Sequence, residues 1–106
     1  MKPQVLLLRL RDVEGLVKHS CLATAPIIYH AVAGEKHLYF CYDARGGALI
    51  ICYVVSDKAV KGKYLAYNTF EDRVFPADET STDARIKYIP VIEVEYQNLI
   101  PEELVE

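Results

Sequence analysis

Residues 27 to 55 read IIYHAVAGEKHLYFCYDARGGALIICYVV, and this stretch decides the fold. Ile27 to Ala33, His37 to Asp43 and Ala48 to Val55 are rich in Ile, Val, Tyr and Phe, the composition of β-strands. Gly34-Glu35 fits a two-residue type II′ turn, and Gly46-Gly47 fits another primed turn. Two-residue turns fix register, so Ala33 pairs with Lys36 and Arg45 with Ala48. Counting back, His30 faces Tyr39, Ile28 faces Cys41, Tyr39 faces Val54 and Cys41 faces Cys52. The middle of the chain, from about Pro26 to Asn68, is therefore expected to be an antiparallel β-meander.

Side chains alternate along a strand, so this register sorts the meander into two faces. One carries Ile27, Tyr29, Ala31, Leu38, Phe40, Tyr42, Leu49, Ile51, Tyr53 and Val55. It is almost wholly apolar and is the expected seat of a helix. The other carries Ile28, His30, Val32, His37, Tyr39, Cys41, Asp43, Ile50, Cys52 and Val54. That mixed face has too many apolar residues to stand in water. One helix covers one face, so the mixed face is expected to be closed by a curling sheet or by a second copy of the chain.

Outward from the meander, Gln4 to Leu10 reads as a buried first strand. Asp12 offers an N-cap, and Val13, Leu16, Val17, Cys21 and Thr24 share a helical face, with Lys18 and His19 pointing away from it. Pro26 ends the helix. A strand, a helix and a strand in that order prefer a right-handed crossover with parallel strands. After the meander come a polar loop (56–62), a fourth strand from Lys63 to Asn68, a short strand from Arg73 to Phe75 and a long acidic loop (76–86). The last strand runs from Lys87 to Tyr96, with Glu93 and Glu95 facing water and Pro90 marking an edge or a bulge. A short tail (97–106) follows. The expected fold is α+β and mostly β: an N-terminal strand and helix, then an antiparallel meander in a strongly curved sheet or half-closed barrel. The alternative is a helix-poor barrel with residues 12–25 irregular.

The chain has 106 residues, which is one domain's worth, and 52% are hydrophobic, so it folds around a core. No apolar run reaches the ~18 residues of a membrane span, and Val5 to Leu8 is too short for a signal sequence. A cytoplasmic location with no membrane partner is expected. The net charge of −3 weighs against a nucleic-acid partner. The 3 cysteines, none in a CxxC, read as reduced thiols. The scarcity of Gln and Asn is a hint of a thermophilic source.

Three functions are open. The first is a non-catalytic binding or protein-interaction module, oligomeric, with no cofactor. Its ligand or interface face would be the mixed one, with His30, His37, Tyr39, Cys41 and Cys52. The second is single-stranded nucleic-acid (RNA) binding. Tyr64, Tyr67 and Phe70 lie among Lys61, Lys63 and Arg73, and aromatics interleaved with bases on strands can stack nucleobases. The third is a small metalloprotein or enzyme using His30, His37 and Cys41. His30, His37, Cys41 and Cys52 could in principle hold a tetrahedral Zn²⁺, although free cysteines commonly pack as small hydrophobes. Cys41 and Cys52 also stand at a spacing that permits a disulfide. Asp78, Glu79 and Asp83, with Asp72 nearby, could hold Mg²⁺ but read better as a solvated loop. No catalytic constellation is legible, so the chain is read as a binding module rather than an enzyme.

Overall fold

The computed structural model describes residues 4–23 and 25–95. In chain order these are β1 (Gln4–Arg9), α1 (Val13–Ala23), β2 (Ile28–Ala33), β3 (Lys36–Arg45), β4 (Ala48–Ser56), β5 (Tyr64–Asn68), β6 (Arg73–Ala77) and β7 (Ile86–Glu93). The strands form one sheet in the order β1-β4-β3-β2-β7-β5-β6. Tyr96 and the tail 97–106 lie outside the described residues.

The hairpin chemistry sets β2, β3 and β4 as the turns require. Ala33 pairs with Lys36, His30 with Tyr39, Arg45 with Ala48, Tyr39 with Val54 and Cys41 with Cys52. Gly34 has φ 63°, the first central position of a type II′ turn. Gly46 and Gly47 have φ 56° and 81°, both left-handed as a type I′ turn demands. The meander stops at β4. The Lys63–Asn68 strand does not continue it, because β5 pairs with β6 and β7 at the far side of the sheet. Seven residues of loop after β4 leave that choice to tertiary packing, and no turn chemistry constrains it.

The sheet stays open. Its ends, β1 and β6, do not meet, so the expected curled or half-closed barrel is not what forms. Strand β1 runs parallel to β4 along the outer edge, with β4 and β3 between it and β2. Strand β7 is internal, so Pro90 does not mark an edge. Pro90 is the last β7 residue paired with β5, and pairing with β2 begins at Val91. Its missing N–H falls where the strand changes neighbour.

The helix forms as its sequence suggests: Asp12 Oδ1 accepts the Gly15 N–H at 2.7 Å, an N-cap bond. Its position corrects the expectation. Helix α1 lies on the mixed face, where Leu16 and Val17 pack with Ile28, Tyr39, Cys41, Cys52, Val54, Leu65 and Ile89. The apolar face gathers a second cluster of Ala31, Leu38, Phe40 and Ile51, flanked by Tyr29, Tyr42, Tyr53, Val55 and Val94. The reason is topological. The hand of the β1-to-β2 crossover decides which face a helix covers, whichever face is more apolar.

Candidate functional site

The mixed face divides into a covered part and an open part. Under α1, Tyr39, Cys41 and Cys52 are fully buried and belong to the core. The Tyr39 hydroxyl accepts the Val60 N–H at 2.6 Å, tying the loop after β4 to β3. Burial pushes the Tyr39 phenol and the Cys41 thiol up, and it lifts Cys52 to about 11, with Cys41 beside it adding to the shift. A thiol that weakly acidic is not a nucleophile at neutral pH. All three cysteines are free.

His19 does not point away. Its Nε2 lies 3.1 Å from Cys52 Sγ. Asp43 Oδ2 is 3.9 Å from the same nitrogen and 2.9 Å from Arg45 Nε, a charge contact rather than an aligned hydrogen bond. Asp43 Oδ2 is buried without an aligned hydrogen-bond partner among the described residues. The Cys52–His19–Asp43 trio touches one nitrogen from both sides, so it is not a relay, which needs both ring nitrogens.

Beyond the helix the same face holds a continuous chain of polar groups. His30 Nδ1 bonds Glu93 Oε2 at 2.7 Å, and His30 Nε2 bonds His37 Nδ1 at 2.9 Å. The His30 ring stacks on Tyr39, centroids 4.5 Å apart and planes 9° apart. His30 is 7% exposed, His37 is half-buried and Glu93 is exposed. The register made the diagonal His30–His37 contact legible. Glu93 was not, because alternation turns it to water. Only the parallel β2–β7 pairing places it opposite His30.

The other predicted residues are dispersed. Among the described residues no three His, Cys, Asp or Glu side chains are grouped to hold a metal ion, so His30, His37, Cys41 and Cys52 do not converge. Tyr64 and Tyr67 sit on opposite faces of β5. Tyr67 packs on the helix side beneath Lys18 and donates to Asp72, whereas Tyr64 meets Tyr88 edge-on. Phe70 stands out at the β5–β6 turn, 81% exposed, while Lys61 and Lys63 are exposed in the preceding loop. Arg73 lies over Phe75 at 5.1 Å. Asp72 pairs with Lys18, and Asp83 with Arg85, whose hydrogen bonds lower it to about 2, so the acidic loop does not form one cluster with Asp78 and Glu79.

A feature the sequence reading misplaced is the β1 edge. Val5, Leu6, Leu7 and Leu8 were expected to be buried, yet they are 51%, 45%, 43% and 44% exposed. They are consecutive, so both faces of the strand are apolar, and among the described residues no strand lies on the other side of its backbone. No helix among the described residues is long and apolar enough to cross a membrane. No protein-family model, no curated protein and no solved structure matches the chain.

Proposed function

We propose that the protein is an interaction module that self-associates by pairing β1 with the same strand of a second copy. The observation that carries this reading is the exposed Val5–Leu8 run on an edge strand. Edge strands are normally blunted by charge, proline, a bulge or a covering element. Here those four positions carry only aliphatic side chains. A two-fold interface needs one patch that complements itself, and an antiparallel β1–β1 pair sets leucine and valine against leucine and valine.

The energetics support an association of modest strength. Completing the burial of four aliphatic side chains on each copy contributes on the order of 8 kcal/mol, at ~1 kcal/mol apiece for half a side chain. New interstrand hydrogen bonds add about 1 kcal/mol each. Lost translational and rotational freedom costs ~4 kcal/mol or more.

Sedimentation velocity across a concentration series tests this reading. The wild-type chain is expected to pass from monomer to dimer in the micromolar range. Leu7→Lys is expected to stay monomeric at every concentration while keeping the wild-type circular dichroism spectrum. A wild type that remains monomeric throughout, or a Leu7→Lys variant that dimerises equally well, would contradict it.

A further inference from the structure

The Glu93–His30–His37 chain fixes where its protons sit. A carboxylate only accepts, so His30 Nδ1 carries the hydrogen of the 2.7 Å bond. A neutral His30 then presents a bare Nε2, and His37 Nδ1 supplies the hydrogen of the 2.9 Å bond. The His37 lone pair is left on Nε2, the one ring nitrogen of the two histidines that neither bond uses. The geometry is held in place, because His30 is buried, stacked on Tyr39 and backed by the Val60 N–H on the Tyr39 hydroxyl. A hydrogen on both His30 Nε2 and His37 Nδ1 would set two N–H groups against each other across 2.9 Å, so only one of the two nitrogens carries it.

We propose, independently of the β1 edge, that this is a general-base site for a small neutral ester. His37 is its catalytic residue, and His30 and Glu93 are its positioning residues. The surroundings of His37 suit a neutral, partly apolar substrate. Across the strands it is flanked on the same face by Val32, which is 51% exposed, and by Ser56. Lys36, next to it in sequence, is already paired with Asp57. In the step, His37 Nε2 takes a proton from water as the water oxygen attacks the acyl carbon. The ester C–O bond then breaks, and the proton passes from His37 to the leaving oxygen. One ester and one water give one acid and one alcohol, with the site restored. A carboxylate behind two histidines favours the protonated intermediate state, as it does wherever a carboxylate orients an imidazole base.

The groups facing the pair are Glu93 from β7, Tyr39 from β3 and Ser56 from β4. Glu93→Gln removes the carboxylate that holds the His30 tautomer, so kcat is expected to fall while KM stays where it was. A purely structural role for Glu93 would reduce the amount of folded protein and leave kcat per folded chain unchanged.

The test is turnover of 4-nitrophenyl acetate by the full chain, measured against free imidazole at the same concentration and pH, with ¹⁵N NMR of the histidine rings. Expected are steady turnover above the imidazole rate, a drop of about 10²-fold in His37→Gln, and an unprotonated Nε2 on neutral His37. Circular dichroism of His37→Gln confirms that the variant is folded. Turnover no faster than free imidazole overturns the proposal. So does a folded His37→Gln variant with the wild-type rate, a single burst without turnover, or a His37 Nε2 that carries the hydrogen.

Discussion

Cys52 shows how much one residue's surroundings decide. It is fully buried beneath α1, faces Cys41 across the β3–β4 pair and lies 3.1 Å from His19 Nε2. The Cys41–Cys52 pairing was legible, because two-residue turns transmit register along a hairpin. The His19 contact was not, since helical periodicity alone placed that residue on the outside. The thiol's acidity has a signed consequence. Cys52 is raised from 9.0 to about 11, so the folded chain holds this proton more tightly than the unfolded chain. Its contribution to stability is whole below pH 9 and is lost as the pH climbs towards 11. The urea midpoint is therefore expected to fall over that interval. At pH 7 a thiol reagent should label half-buried Cys21 first, with Cys41 and Cys52 reacting only as fast as the protein opens. Rapid native labelling of Cys52 would contradict its placement. Glu93 is the complementary case. Its role opposite His30 depends on a β2–β7 neighbourhood that no local signal encodes.

At the scale of elements, the strands and the helix were readable and their neighbours were not. Alternation and turn residues defined β2, β3 and β4, and the Asp12 cap and the apolar spacing defined α1. Which sheet face α1 occupies was misread, because hydrophobic content was weighed where crossover handedness decides. The helix is fastened to that face at both flanks. Leu16 and Val17 enter the core, while Lys18 bridges Glu14 and Asp72, each at 3.1 Å, over the Tyr67 ring. Asp72, held by the Tyr67 hydroxyl and Lys18, keeps its carboxyl below the usual range. The single strongest local signal is the cap. Asp12→Ala is expected to lower stability by ~1 kcal/mol in chemical denaturation. A variant as stable as the wild type would mean that the bond to Gly15 contributes nothing to holding the first turn.

For the whole molecule, the decisive property is that the sheet does not close. Its extents are 40 × 35 × 21 Å, a thin slab with two edges. From the sequence, one helix was expected to cover one face, with the other closed by curling or by a second copy. The mixed face is covered over its centre by α1. Among the described residues, the β1 edge is where four aliphatic residues that read as a buried strand stand half-exposed. A run of leucines says only that a strand wants burial, and it does not say whether its own chain supplies it.

Amide hydrogen exchange on β1 tests the central claim most directly, because strand pairing protects the backbone and looser association does not. Alternate β1 amides that face away from β4 should exchange freely at low micromolar concentration. The same amides should become protected as the concentration rises through the dimer transition, in the wild type and not in Leu7→Lys. Unchanged, rapid exchange of those amides in a sample that sedimentation shows to be dimeric would contradict β1 pairing.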